Sequence, residues 1–291
     1  MIERWVVYQR ERFPLARHAP LVLVTCLCAL AFTLQAQNEP RWPGLGAWFG
    51  SSLVTLGLFF ILRVLDEFKD FEDDSKFRPY RPVPRGVLRL EDLARAGWLV
   101  AGLQLFATVI FAPRAMIALV VCWIFMALMA LEFFVPSWLK ARPLAYMLSH
   151  APITGLIQIQ ASAWVWIDAM PAEVIWLALA ATAAGIMLEL GRKIRAPEDE
   201  EPGVDTYTAA WGIPRAVAIW LLAGAVAATL TLISSFGWFS VIGLSLLGAS
   251  SLWLDLKFQA DASKQLSKWF EPASAVWALI VFASLALKGL T

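Results

Sequence analysis

The most regular feature of the sequence is a series of long apolar stretches separated by shorter polar segments. A helix needs about 20 consecutive apolar residues to cross the hydrocarbon core of a bilayer. Nine stretches are long enough and are predicted to be transmembrane helices: 19–36, 44–65, 94–112, 115–134, 143–163, 171–190, 214–233, 237–255 and 271–288. The pattern therefore predicts an all-α polytopic membrane protein in which residues 1–291 form a single membrane domain.

The overall composition supports this prediction and excludes several other classes of protein. Hydrophobic residues make up 59% of the chain and charged residues only 16%, whereas soluble domains are about half apolar and a quarter charged. A disordered chain, a disulfide-rich secreted scaffold and an ordinary soluble enzyme are therefore excluded. The three cysteines all lie within apolar stretches, and none has the spacing of metal ligands.

The positive charges are distributed unequally between the two sides of the predicted bundle. The side that holds the N-terminus receives all but three of the 24 Lys and Arg residues. Because basic residues concentrate in cytoplasmic loops, we expect the N-terminus to be cytoplasmic and the C-terminus to lie across an inner or plasma membrane. The two long, charged loops, 66–92 and 189–212, both fall on the cytoplasmic side.

The first of these loops carries acidic residues at a regular spacing. Asp66, Asp70 and Asp74 are four residues apart, so a helix would bring them to one face, where like charges repel. A divalent cation would remove this repulsion, and Mg²⁺ is typically held by one or two carboxylates together with substrate phosphates. The alternative is a solvated acidic helix end whose charges are neutralised by Lys69 and Lys76.

A basic, proline-rich arm follows the acidic residues. Arg78 and Arg81 have planar guanidinium groups that suit phosphate oxygens. Pro79, Pro82 and Pro84 are predicted to hold the arm in an extended form. Carboxylates followed by a stiff arginine arm indicate a site for a metal ion and a diphosphate.

Residues 66–86 resemble the first aspartate-rich motif of the UbiA superfamily of intramembrane prenyltransferases. The family pattern is Asn-Asp, two residues, Asp, three residues, Asp, and then an Arg-Pro and a Gly. The matching residues here are Asp66-Glu67, Asp70, Asp74, Arg78, Arg81-Pro82 and Gly86. Asp66 replaces the family's Asn, Glu67 replaces its first Asp, and the end of the motif lies about two residues closer.

Residues 189–212 resemble the end of the family's second aspartate-rich motif but depart from its beginning. The matching residues are Asp199, Gly203, Thr206 and Gly212. Arg192 and Arg195 fall on the two earlier acidic positions, and Glu189 lies one turn before them. This reversal of charge indicates that Arg192, Lys193 and Arg195 could bind phosphate oxygens directly, with less metal on this side.

The resemblance implies nine transmembrane helices around a central cytoplasm-facing cavity. It also implies a Mg²⁺-dependent prenyltransferase that ionises an isoprenyl diphosphate and transfers the prenyl group to a lipophilic acceptor. The implied catalytic and metal-binding residues are Asp66, Glu67, Asp70, Asp74 and Asp199. The implied substrate-binding residues are Arg78, Arg81, Lys140, Arg142, Tyr146, Arg192, Lys193 and Arg195. Membrane lipid is an expected partner, and nucleic acid is not.

The fifth apolar stretch adds a second candidate feature. Tyr146, His150, Thr154 and Gln158 are spaced by four residues, which places a polar stripe on one face of a transmembrane helix. Such residues normally face a cavity, where His150 could act as a general base. The alternative is polar contact between packed helices, and Lys140 and Arg142 could equally be anchors at the cytoplasmic interface.

Three other functions are compatible with the sequence. A UbiA-type membrane terpene cyclase or a polyprenyl-phosphate transferase would use the same diphosphate site. A transporter is the alternative from another class, but ionisable residues are nearly absent from the centres of the predicted spans.

Overall fold

Helices build all the regular structure in the computed structural model, which describes residues 2–201 and 203–287 and has no β-strand among them. In chain order the α-helices are α1 (Ile2–Arg12), α2 (Leu15–Ala36), α3 (Leu45–Lys69), α4 (Phe71–Phe77), α5 (Leu90–Phe111), α6 (Met116–Ala130), α7 (Pro136–Lys140), α8 (Pro143–His150), α9 (Pro152–Ser162), α10 (Val174–Arg192), α11 (Tyr207–Trp211), α12 (Ile213–Ser234), α13 (Trp238–Ala260), α14 (Lys264–Ser267) and α15 (Phe270–Ala286).

Eight helical segments are long and apolar enough to cross a membrane. They are α2, α3, α5, α6 with the turn before it, α10, α12, α13, and α14 with α15. The fifth predicted span is divided instead into α8 and α9, because Pro152 has no backbone N–H to continue the helix and starts a new one. The all-α membrane architecture is therefore confirmed, while the count of nine spans stays a prediction.

Small residues allow α10 to lie at the centre of the packing. This helix contacts α9, α12 and α15, and its alanines at 178, 180, 181, 183 and 184 are buried. A Cβ added to Gly191 would lie 2.6 Å from the carbonyl oxygen of Phe270. Close approach of backbones through small residues is the usual basis of helix packing in membranes.

The amphipathic helix α1 is tied to the first charged loop rather than extending freely. Tyr8 is buried in a cluster with Val64, Val83, Leu88 and Leu93. The side chain of Arg12 donates a 2.5 Å hydrogen bond to Glu67 at the end of α3. The N-terminal helix therefore helps to fix the position of the segment that carries the acidic residues.

The arm at 78–89 is folded into turns, so the prediction that it is extended is wrong. Backbone hydrogen bonds join Arg81 N to Arg78 O, Arg85 N to Arg81 O, and Val87 N to Pro82 O. A positive φ of 79° at Gly86 completes these turns. Three proline rings stiffen the arm, but buried apolar side chains within it draw it back onto the bundle.

Candidate functional site

The two charged loops meet at one end of the bundle, here called the motif end. Gly203 has a φ of +72°, and a Cβ there would lie 2.7 Å from Cδ2 of the Phe77 ring. Tyr80 donates a 3.4 Å hydrogen bond to Glu201. Residues from α4 and its arm therefore pack directly against the loop that follows α10.

Asp70 lies where α3 ends and α4 begins. The helical hydrogen-bonding pattern continues across it, since Asp70 N donates to Asp66 O and Asp74 N donates to Asp70 O. Its half-buried carboxylate forms no hydrogen bond or ion pair with another described residue. Burial, and then repulsion from Asp66, raises the pKa of Asp70.

Asp66 lies one helical turn before Asp70 and is the acidic residue whose charge affects Asp70 most. Its side chain is 48% exposed, and its one ion pair is a 3.2 Å contact with Arg63 one turn earlier. Asp66 and Asp70 together offer carboxylate oxygens at the motif end without strong partners of their own. This pair suits Mg²⁺, which commonly uses one or two carboxylates and fills the rest of its shell with water and substrate phosphates.

Asp74 has different surroundings from the two preceding aspartates. It is only 1% exposed, and it contacts Arg78 at 2.8 Å and Arg81 at 2.6 Å. The two arginines predicted to bind phosphate are thus paired with the third predicted metal ligand. The structure brings these three residues together as an ion-pair cluster beside the Asp66–Asp70 pair.

The other two predicted metal ligands also have partners. Glu67 is buried and pairs with Arg12, and Asp199 pairs with Lys264 at the start of α14. Within the described ranges, no group of three or more His, Cys, Asp or Glu side chains could hold a metal ion. Among the predicted metal ligands, Asp70 has no ion pair to lose and Asp66 has only its partly exposed contact with Arg63, so these two fit a divalent cation best.

Lys69 is a functional candidate that the sequence pattern predicted only as a neutralising charge, not as a site residue. It lies between Asp66 and Asp70, donates a hydrogen bond to the hydroxyl of Tyr146, and forms a 3.2 Å ion pair with Glu132. Its position inside the acidic motif could have identified Lys69 from the sequence. Nothing in the sequence pointed to Glu132, which lies in the turn after α6 and outside both motifs.

His150 stacks against Tyr146 on the same side of α8. Their ring centroids are 4.2 Å apart with an interplanar angle of 12°. His150 Nδ1 lies 2.9 Å from the Tyr146 carbonyl oxygen and 3.0 Å from the Ser149 hydroxyl. Either ring nitrogen can carry the proton of the neutral ring.

A strained turn positions Glu132 next to Lys69. Glu132, Phe133 and Phe134 have φ values of 46°, 51° and 64°, although none is glycine. A non-glycine residue in this region costs of order 1–3 kcal/mol, and such residues cluster at functional sites. The ring of Phe133 packs edge-on against His150, with centroids 5.5 Å apart, so the turn also supports the polar end of α8.

At the start of the second charged loop, two basic side chains form ion pairs with the same carboxylate. Glu189 pairs with both Arg192 and Lys193, the latter at 2.9 Å. Lys193 also lies 5.5 Å from the centroid of the Tyr207 ring. Burial, and then the charge of Glu189, raises the pKa of the Tyr207 hydroxyl, which also interacts electrostatically with Tyr146.

These contacts define the mouth of the site. Its residues are Asp66, Lys69, Asp70, Tyr146, Glu189, Arg192, Lys193 and Tyr207. Arg192 interacts electrostatically with Asp66, so the two side chains lie within electrostatic range of each other. Tyr207 was not a predicted site residue, although it directly follows Thr206 of the second motif.

The remaining predicted phosphate ligands lie away from the mouth. Arg195 contacts the carbonyl of Asp199 and the side chain of Glu201. Lys140 is exposed and pairs with Asp73, and Arg142 lies over the Trp138 ring. The structure does not bring these three cations together with Asp66 and Asp70.

The inner part of the polar stripe faces the bundle. Thr154 donates hydrogen bonds to the carbonyls of Ala151 and Ala181, which supports helix contact as its role. Gln158 is buried, and its side-chain oxygen has no partner among the described residues. A central cavity stays a prediction. A partly open pocket of about 560 Å³ lies at the other end, where Arg114, Leu156 and Trp166 line it.

Comparison with known proteins identifies the fold. No family model and no curated protein matches the sequence. Among solved structures, one of digeranylgeranylglyceryl phosphate synthase in membranes is 15% identical, with a TM-score of 0.65 and coverage of 98% of both chains. The UbiA homolog from Aeropyrum pernix K1 is 13% identical, with a TM-score of 0.67 and coverage of 92% of this chain and 97% of that chain. The predicted UbiA-like fold is therefore confirmed, and the chain is an integral membrane protein.

Proposed function

We propose that this chain is a member of the UbiA superfamily that acts as an integral-membrane prenyltransferase. It would take an isoprenyl diphosphate with its tail among the helices and its diphosphate at the motif end, and pass the prenyl group to a lipophilic acceptor. The distribution of Lys and Arg supports a cytoplasmic motif end in an inner or plasma membrane. The C-terminus would then lie on the opposite side.

One observation carries this proposal. Two acidic residues, Asp66 and Asp70, lie at a membrane-protein mouth that also contains Lys69, Arg192 and Lys193. Asp70 has no ion-pair partner among the described residues, and burial disfavours its charge. A carboxylate in this state is stabilised by a bound cation, and the neighbouring cations suit an anionic ligand.

Asp66 and Asp70 would hold Mg²⁺ at the mouth. When bound, Mg²⁺ would neutralise charge on the diphosphate and so favour its departure as pyrophosphate. Lys69 and Tyr146 would donate to oxygens of the leaving group, where negative charge develops. Glu132 would keep the Lys69 ammonium in position.

His150 would receive the proton of the acceptor. With Nδ1 donating to the Tyr146 carbonyl, Nε2 would be the nitrogen that accepts a proton from an acidic acceptor hydroxyl or carbon. This arrangement supports transfer to an acceptor more than cyclisation. A terpene cyclase or a polyprenyl-phosphate transferase would use the same mouth but release a different product.

The proposal is tested by pyrophosphate release from purified protein in detergent. The protein is supplied with isoprenyl diphosphates of increasing chain length, with and without Mg²⁺, and the products are extracted. We expect Mg²⁺-dependent release that is lost in Asp70→Asn. Asp73→Asn is the matched control, because Asp73 is 57% exposed and pairs with Lys140 outside the mouth; it should retain activity.

Each result has a defined consequence. Release that is lost equally in both variants would show that the motif as a whole, rather than Asp70, is required. No release from any chain length, from protein that is folded by circular dichroism, would refute the prenyltransferase proposal. The extracted product distinguishes transfer, cyclisation and capture by water.

A further inference from the structure

The end of α10 holds two cations against one carboxylate. Glu189 pairs with Arg192 and with Lys193 at 2.9 Å, and no other described acidic side chain forms an ion pair with either cation. The three side chains together carry a net charge of +1. This excess positive charge lies at the mouth, next to Tyr207 and within electrostatic range of Asp66.

A structural role alone does not account for this arrangement. Cations in the last turn of a helix interact favourably with the helix dipole, but that role requires no partner across the mouth. Arg192 is 52% exposed and Lys193 34% exposed, so both can reach a ligand. Arg195, two residues further on, turns away to Glu201 and lies outside the mouth.

We infer, on the basis of the proposed function, that Arg192 and Lys193 bind a phosphate group of the diphosphate directly and without metal. In the free protein, Glu189 would be the ion-pair partner of both cations. On binding, the phosphate would replace Glu189 as the partner of Arg192 and Lys193. The mouth would then be divided in two. Asp66 and Asp70 would contact the ligand through Mg²⁺, and the end of α10 would contact it through its own cations.

The chemistry of the three side chains supports this division. Arginine offers a planar fork and lysine a point charge, and both bind phosphate oxygens through charge-assisted hydrogen bonds. A carboxylate already neutralised by two cations is a poor ligand for a second Mg²⁺. A site built this way therefore retains affinity for pyrophosphate when metal is removed.

Calorimetric titration of the metal-free protein tests the inference. The full chain in detergent with EDTA is titrated with inorganic pyrophosphate. We expect measurable binding that becomes roughly tenfold to a hundredfold weaker in Arg192→Gln/Lys193→Gln, because charge-assisted hydrogen bonds are lost. Glu189→Gln should bind pyrophosphate about tenfold more tightly, since the competing carboxylate is gone; a purely structural ion pair predicts no gain.

The start of α5 offers matched controls. Arg89 and Arg95 share Asp92 at 3.4 and 3.9 Å, and both side chains are well exposed. Arg89→Gln/Arg95→Gln and Asp92→Asn make the same charge changes outside the mouth and should leave pyrophosphate affinity unchanged. Equal losses in the two double variants would overturn the inference, because a general surface charge would then explain the binding.

The outcome also separates this inference from the proposed function. Binding with Mg²⁺ but none with EDTA would overturn direct binding by Arg192 and Lys193 and leave the prenyltransferase proposal intact. No binding in either condition, by folded protein, would refute both. The titration is repeated with phosphatidylglycerol in the micelles, because a lipid headgroup carries the same phosphate chemistry. Complete loss of pyrophosphate binding there would assign the site to lipid and overturn the inference.

Discussion

Two aspartates one helical turn apart should respond in opposite ways to the same substitution. We predict that Asp74→Asn destabilises the protein and that Asp70→Asn does not. Asp74 is almost fully buried and contacts Arg78 and Arg81, whose side chains are 15% and 20% exposed. Asp70 is half-buried and has no ion-pair partner among the described residues.

The magnitude for Asp74 follows from its two contacts. Removal of one member of a buried ion pair costs about 3–5 kcal/mol, because the remaining charge is left buried and unpaired. The contact with Arg81, at 2.6 Å, is a hydrogen bond, whereas Arg78 lies at 2.8 Å without hydrogen-bond alignment at Asp74 Oδ1. We therefore expect the lower end, about 3 kcal/mol, since one contact is weaker than ideal.

The sign for Asp70 follows from its raised pKa. A carboxyl whose pKa is higher in the folded protein disfavours the charged form, so its contribution to stability is lost as pH rises through that pKa. At neutral pH, Asp70→Asn should therefore be as stable as the wild type or more stable. At pH values below the ordinary aspartate pKa of 3.8, the difference in stability between the wild type and Asp70→Asn should disappear. Asp70 is then protonated in both the folded and the unfolded protein.

Thermal unfolding in detergent measures both effects. A loss of about 3 kcal/mol corresponds to a fall of roughly 5–10 °C in the midpoint, expected for Asp74→Asn only. Pyrophosphate release should be lost in Asp70→Asn while the midpoint is unchanged or raised. An Asp74→Asn protein with the wild-type midpoint and no activity would refute the reasoning, because Asp74 would then act as a ligand rather than as an ion-pair centre.

Three further results are expected. EDTA should abolish turnover while the thermal midpoint changes little, because the ion pairs of Asp74 and Glu67 do not depend on metal; a collapse of the midpoint would contradict this. Gly203→Ala should raise the KM for the diphosphate by several-fold and increase proteolysis of residues 189–212, since the new Cβ meets Phe77 at a φ of +72°; the added change Phe77→Ala should reverse part of it. Tyr146→Phe should lower turnover roughly tenfold, the equivalent of one hydrogen bond to a charged group, and a wild-type rate would exclude Tyr146 from the site.

The apolar stretches predicted the membrane fold well because bilayer thickness sets their length. Eight predicted spans correspond to long apolar helical segments. The fifth did not form one helix, although Pro152 was visible in the sequence. Proline at the first position of a helix and proline within a kinked helix look the same in a sequence, and packing decides between them.

The acidic spacing predicted the location of the site but not the role of each residue. Asp66, Asp70 and Asp74 lie close enough together, as expected, that the charges of Asp66 and Asp74 both raise the pKa of Asp70. Their burial differs, and that difference depends on partners the spacing does not contain. Glu67 finds Arg12, which is 55 residues away in the chain.

Some site residues could not be predicted from the sequence, and the reason is physical. Glu132 reaches Lys69 only because three consecutive residues adopt positive φ without glycine. Local sequence preferences oppose this conformation, so tertiary contacts such as Phe133 with His150 must maintain it. A network that depends on an unfavoured backbone conformation is not predictable from residue types.

Burial divides the charged residues of the motif end into those that support folding and those that are available for chemistry. An unpaired charge in the position of Glu67 or Asp74 would cost several kcal/mol, so these two acids require their arginine partners in every state of the protein. Asp66 and Asp70 lie nearer to solvent, where an unsatisfied carboxylate is tolerable and a cation can still be gained. Glu67 is one methylene longer than the aspartate of the family pattern and pairs with Arg12. It is therefore not available as a metal ligand. In the proposed function, metal binding at this mouth would therefore rest on two carboxylates, and the cations at the end of α10 would bind the part of the diphosphate that the metal does not neutralise.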